Sequence, residues 1–224
     1  MTTPQSLQAK KTLDAEILRC RKCPVLGIPK VTPSAPGHGS LDAKVMIVGR
    51  ELHRYNPATP TQIPFVGPVA YDSGNILFEG VQLGLAKDSD FWDYVFITNM
   101  VHCNTPRNRP CTAKEIKTCA GFLRREFELV QPALVIGLGA HVRKHLFGWS
   151  SNNWEPRSVT LFEYETLGVA IFHPSYWLRT GAKSPQAIQW REKLATLIKE
   201  IYGGTQKESA RGKLGQGPQT CSRW

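Results

Sequence analysis

Four short apolar runs, spaced by stretches of helical periodicity, constrain this chain more than any other feature. They are Lys44–Gly49 (KVMIVG), Tyr94–Met100 (YVFITNM), Pro132–Leu138 (PALVIGL) and Val169–Phe172 (VAIF). Runs that are apolar throughout, with no polar alternation, suit strands covered on both faces, and so a parallel sheet. Leu7–Arg19, Asp72–Leu85, Thr112–Val130, Gly139–Phe147 and Gln186–Tyr202 read as helices. Leu13, Ile17 and Leu18 are placed on one face of the first, and Thr112 with Glu115 has capping-box spacing. Strand and helix alternate without an internal repeat. The expected fold is α/β, a three-layer αβα sandwich with a mostly parallel four-stranded central sheet. Ligands in such folds bind beyond the carboxyl ends of the strands. Arg50-Glu51, Asn99, Gly139 and His173 stand at those ends.

Cysteine placement is the second constraint. Cys20 and Cys23 form a C-x-x-C followed by Pro24, while Cys103 and Cys119 flank the basic loop Asn104–Pro110. Four thiolates from separated segments can hold one tetrahedral metal or one cubane iron–sulfur cluster. Cys20 ends a helical pattern and does not open a helix after a strand, which argues against a redox C-x-x-C. With no secretion signal a disulfide framework is not expected. Cys111 reads as a free thiol and Cys221 as a bystander near the end of the chain.

Length and charge set the class. A chain of 224 residues with 41 % apolar and 21 % charged residues suits one α/β domain, expected over residues 1–202. The Gly/Gln/Lys-rich segment Gly203–Trp224 is expected to be a disordered basic tail. No run of eighteen apolar residues occurs and Met1–Lys11 is polar, so a soluble, cytoplasmic chain without membrane span or signal peptide is expected. The net charge of +10 suits a polyanion, most simply nucleic acid. Arg107 and Arg109 share one Pro-rich loop; Arg179 and Lys183 share another. Gly137-Leu138-Gly139 lacks the third glycine and downstream acid of a dinucleotide fingerprint, so it reads as close helix packing.

Seven linked segments carry a resemblance: CRKCP (Cys20–Pro24), VMIVG (Val45–Gly49), IPFVGPVAYDSGNIL (Ile63–Leu77), ITNMVHCNTPRNRP (Ile97–Pro110), EIKTC (Glu115–Cys119), LVIGLG (Leu134–Gly139) and HPSYWLR (His173–Arg179). In order and spacing the chain resembles the uracil-DNA glycosylase superfamily, and within it the iron–sulfur, family 4 type. The resemblance implies a monomeric enzyme of base excision repair that hydrolyses the N-glycosidic bond of uracil in DNA, single- or double-stranded, with the base flipped out. It implies a 4Fe–4S cluster on Cys20, Cys23, Cys103 and Cys119; zinc on the same four residues is the alternative. A flipped base must be stacked and read on its Watson–Crick edge. The resemblance gives stacking to Phe65, reading to Asn99, a place against the base to Gly49 and Arg50, and stabilisation of the departing base anion to a neutral His173. The loop Ser175–Lys183 would press into the duplex, with Ser175 in it, Trp177 or Leu178 as wedge and Arg179 on phosphate; Arg107 and Arg109 would also face DNA.

The first catalytic motif departs from the family. Where the family usually has Gly-Glu-Ala-Pro-Gly, this chain has Gly49-Arg50-Glu51-Leu52-His53. Arg50 stands at the acidic position and Glu51 is displaced by one. Glu51 is the expected water-placing residue; His53 in that role, or Arg50 pairing with Glu51 or binding phosphate, are alternatives. Two other functions stay open: a DNA-binding protein that has lost hydrolysis, and a glycosylase for another modified base.

Overall fold

The computed structural model of the protein describes residues 2–53, 62–66, 73–203 and 219–220. The elements in chain order are α1 (Pro4–Arg19), β1 (His38–Gly39), β2 (Val45–Leu52), α2 (Ser73–Gln82), α3 (Phe91–Tyr94), β3 (Val95–Asn104), α4 (Ala113–Val130), β4 (Leu134–Leu138), α5 (Gly139–Leu146), β5 (Asn153–Leu161), β6 (Tyr164–Ile171), α6 (Ser175–Thr180), α7 (Pro185–Gly203) and β7 (Gln219–Thr220). One mixed sheet runs β1-β3-β2-β4-β6-β5-β7. Its centre, β3-β2-β4-β6, is parallel throughout.

The four apolar runs form that centre, and the pleat shows why they lack alternation. Met46, Val48, Phe96 and Val135 pack against α1, α4 and α5 on one face. Val45, Ile47, Ile97 and Ile136 pack against α2, α6 and α7 on the other. Each strand is therefore buried on both sides. Leu13 and Ile17 of α1 enter the first core, but Leu18 faces solvent. The capping box of α4 is formed as its spacing predicts: Glu115 N–H donates to Thr112 Oγ1 at 3.2 Å, and Thr112 N–H donates to Glu115 Oε2 at 2.7 Å. A Cβ at Gly137 would come within 2.6 Å of the Phe147 ring, consistent with close helix packing.

Four expectations are corrected. The sheet is not four-stranded: β1 and β5 add antiparallel neighbours, and β7 pairs parallel with β5. The β5–β6 hairpin turns through Phe162 and Glu163, both at positive φ (52° and 75°), the backbone of a type I′ turn without its usual Asn or Gly. Arg50–Leu52, read as the start of a loop, instead extend β2, and β3 likewise runs on to Asn104, so Asn99 lies within a strand and not at its end. Ser175–Thr180, read as a loop, form α6. Of the expected disordered tail, Gly203 closes α7 and Gln219–Thr220 form β7. Residues 204–218 and 221–224, with Cys221, lie outside the described residues, as do 54–61 and 67–72.

The helix α7 seals one core. Its Leu194 is fully buried among Ile76, Leu77 and the strand side chains of that face. Leu194→Ala removes this contact and leaves a cavity, and is expected to cost about 3 kcal/mol, read as a lower urea midpoint at unchanged slope.

Candidate base pocket and cysteine site

The parallel register brings the first pocket residues together. Gly49 of β2 stands opposite Asn99 of β3. A Cβ at Gly49 would collide with Asn99 Oδ1 and come within 2.8 Å of the Phe65 ring, so only glycine lets the two side chains meet there. Asn99 is 2 % exposed, and its Oδ1 is buried with no hydrogen-bond partner among the described residues. An unpaired buried acceptor costs about 1–3 kcal/mol, so this oxygen is suited to an N–H donor from outside the chain. The Phe65 backbone is held at φ 63°, a left-handed conformation uncommon for an aromatic residue. Its ring faces that of His173, with centroids 5.5 Å apart and planes tilted by 34°.

His173 follows β6, and its tautomer is set locally. The Ser175 backbone N–H donates to Nδ1 at 3.1 Å, and Ser175 Oγ lies 2.8 Å from the same nitrogen. An amide can only donate, so Nδ1 is an acceptor and the ring proton sits on Nε2. Burial, then the positive charges of Arg50 and Arg179, lower the His173 pKa from 6.5 to about 4. The imidazole is therefore neutral at neutral pH and presents Nε2–H as a donor. Ser175, expected on the DNA face, thus also sets the His173 tautomer.

Arg50 and Glu51 form a pair. The Arg50 Nε and Nη2 contact both Glu51 carboxylate oxygens, and the Glu51 side chain is 4 % exposed. Burial raises the Glu51 pKa and outweighs the opposing pull of Arg50 and of hydrogen bonds from Cys111. Cys111 is itself buried and pushed up to about 12, by burial and then by Glu51. Asn104 Nδ2 donates to the His53 carbonyl at 3.0 Å.

The prospective DNA face is sorted by exposure. Trp177 is 7 % exposed, packed in the core with its ring against Phe172 and Tyr176, which does not suit a wedge. Leu178 is 41 % exposed and Arg179 is exposed beside it. Phe172 and Tyr176, two exposed rings stacked with centroids 5.1 Å apart, were not singled out in the sequence. Arg107 is exposed, with a left-handed backbone. Arg109 is instead held by Glu115 through bonds of 2.6 and 2.9 Å.

Cys20 caps α1, Cys103 lies in β3 and Cys119 in α4; with Cys23 they pack on one core. The negative groups acting on Cys103 after burial are Cys119, Cys20 and Cys23, and its thiol is pushed up to about 12. Burial, then Cys119, Glu115 and Cys20, likewise raise Cys23. The four thiols therefore converge, and gathering them as thiolates calls for a cation between them. Cys111 stands apart, its neighbours being Glu51, Arg50 and Glu115. Among the described residues no group of three or more His, Cys, Asp or Glu could hold a single metal ion.

The family model for the uracil DNA glycosylase superfamily matches residues 36–195. The chain belongs to that superfamily. A type-4 uracil-DNA glycosylase of Sulfurisphaera tokodaii is 28 % identical over 205 residues, covering 88 % of this chain and 83 % of the relative. A type-4 uracil-DNA glycosylase of Pyrobaculum aerophilum is 32 % identical over 175 residues, covering 74 % and 83 %. A type-5 uracil-DNA glycosylase of the same organism is 35 % identical over 113 residues, covering 46 % and 48 %. No described helix is long and apolar enough to cross a membrane.

In this superfamily member, Gly49, Phe65, Asn99 and His173 stand together, while Arg107 and Arg109 lie on the loop between two of the cysteines. The depressed His173 pKa has a stability consequence. Between about 6.5 and about 4 the unfolded chain binds a proton that the folded imidazole refuses, so stability falls as pH drops through that window. The Tm advantage of wild type over His173→Gln should accordingly shrink from neutral pH towards the lower limit. A constant difference would contradict it.

Proposed function

We propose that the protein excises uracil from DNA by hydrolysing the N-glycosidic bond, as a monofunctional enzyme of base excision repair acting as a monomer. The unpaired Asn99 Oδ1 carries this proposal. Uracil flipped into the pocket would supply the missing donor through its ring N–H, and the Asn99 amide would donate to a base oxygen. Phe65 would stack on the base. As the glycosidic bond breaks, the electron pair passes to the base, and His173 Nε2–H stabilises the resulting anion. Glu51 would place the water whose oxygen bonds to the sugar carbon, and the proton that water loses would neutralise the uracil anion. Leu178 would fill the vacated space in the duplex, with Arg179 and Arg107 on phosphate. Lys183 is exposed, which leaves the pocket without an evident amine for lyase chemistry among the described residues. Residues 1–202 would form the catalytic unit.

Cys20, Cys23, Cys103 and Cys119 would hold a 4Fe–4S cluster. Bound, it would tie the end of α1, β3 and α4 together and stiffen the basic loop between the last two ligands. Brown, iron- and sulfide-containing protein is expected; stoichiometric zinc without iron would select the alternative.

Arg50 favours a second possibility. It occupies the acidic position of the family motif and holds Glu51. A Glu51 that stays so engaged leaves a DNA-binding protein with weak or no hydrolysis. Release of free uracil from single- and double-stranded oligonucleotides decides between them. With Glu51 placing water, Glu51→Ala lowers the single-turnover rate by about 10²-fold or more while DNA binding persists. Tight binding without release, even at enzyme excess, would favour the second function, and a panel of modified bases would expose another target.

Gly49→Ala tests the pocket itself. Its methyl group would displace Asn99 or Phe65, and uracil release should fall by about 10²-fold with the fold retained. Unchanged release would remove Asn99 as the reader.

A further inference from the structure

A polar chain that plays no part in base reading runs through the other core. His102 and Glu126 are 1 % and 0 % exposed. The ladder between β2 and β3 advances one residue from Glu51 to Leu52 while β3 advances from Val101 to Asn104, so His102 and Cys103 form a bulge in β3. The bulged backbone turns to the 33–35 segment: Ala35 N–H donates to the His102 carbonyl at 2.9 Å, and Asn104 N–H to the Pro33 carbonyl at 2.9 Å. His102 is aimed at Cys119. Its backbone N–H donates to Cys119 Sγ at 3.5 Å, and its Nδ1 lies 3.6 Å from the same sulfur. Its Nε2 lies 3.0 Å from Glu126 Oε2.

Glu126 is held in turn. Oε2 also accepts from Thr98 Oγ1, and Oε1 accepts from Gly37 N–H at 2.6 Å. A buried carboxylate survives only when its oxygens are partnered so fully. Phe122 closes the site edge-on to the His102 ring, with centroids 5.9 Å apart. Among the described residues, the hydrogen bonds that reach a sulfur of the cysteine quartet both end on Cys119. A Cys119 thiolate offers only lone pairs, so the His102 nitrogen that faces it, Nδ1, is placed to donate.

We propose that His102 is a positioning residue for the cluster: fixed by Glu126, it donates to the Cys119 sulfur from ring and backbone together, drawing electron density from this one ligand and raising the reduction potential of the centre. Hydrogen bonds to ligating sulfur are a recognised lever on cluster potential, and partners behind a ligand orient it. This rests on the 4Fe–4S assignment made above.

The test is an EPR-monitored reductive titration with dithionite on wild type, His102→Gln, His102→Leu and Thr98→Val, with iron content and uracil release measured in parallel. His102→Gln, a neutral amide of similar reach, should keep its iron and shift the potential to a more negative value. His102→Leu should shift it further and lose iron faster to a chelator. Thr98→Val loosens Glu126 and removes the Thr98 Oγ1 contact with His102 Nε2 at 3.3 Å, without touching the sulfur, and should lower Tm while shifting the potential less than His102→Gln does. If His102→Leu fails to fold, His102→Gln and Thr98→Val carry the comparison. Potentials that ignore both His102 variants, or a Thr98→Val shift as large as that of His102→Gln, would overturn the proposal. Iron-free wild type would sink the cluster assignment and this inference with it, whatever uracil release shows.

Discussion

The pairing of β2 with β3 is the constraint on which the rest of the site depends. Its register sets Gly49 against Asn99, and the absence of a side chain at Gly49 lets the Asn99 amide and the Phe65 ring meet there, within the two strands. Because both strands are covered on two faces, a slip of one residue would drive a buried set of side chains into the wrong core. The register is therefore held by two hydrophobic layers at once. The same ladder breaks immediately beyond, and the break turns His102 and Cys103 towards Cys119. One pair of strands thus orders the candidate base pocket at one place and the cysteine site at the next.

Burial and positive charge act together on His173 and against each other on Glu51. His173 is kept neutral because burial, Arg50 and Arg179 all act in one direction. Glu51 experiences opposed influences, and burial prevails over its ion pair with Arg50. Arg50 therefore has two effects: it engages the Glu51 carboxylate and it helps keep the His173 imidazole uncharged. A neutral donor suits a site where negative charge appears only as the bond breaks, since its dipole is set in advance.

Legibility in the sequence followed the range of the interactions. The four central strands and the capping box of α4 were readable because apolar runs and cap spacing are local signals. The strand β5 was not, since three of its nine residues are exposed and a proline interrupts it. Its hairpin hides behind Phe162-Glu163, which lacks the Asn-Gly signature although the backbone takes the same turn. The candidate pocket residues were singled out through linked motifs, because Asn99 in β3 and His173 just after β6 are brought together only by the fold. Two features had no sequence signal. The Ser175 amide on His173 needs a helix where a loop was expected, and the His102–Glu126 contact joins residues 24 positions apart across a strand and a helix. The burial of Trp177 likewise depends on α6 turning that ring inward.

Glu115 carries a further implication. One carboxylate caps α4 through Thr112 and also clasps Arg109, and those contacts, Arg109 first, hold its pKa at about 2. It stays ionised under all physiological conditions, so Arg109 remains occupied by an internal counter-charge. A guanidinium already neutralised from within releases no bound cations when a phosphate approaches. The polyanion-facing surface is thus effectively smaller than a count of arginines suggests, and Arg109 acts as scaffolding for the loop that displays Arg107.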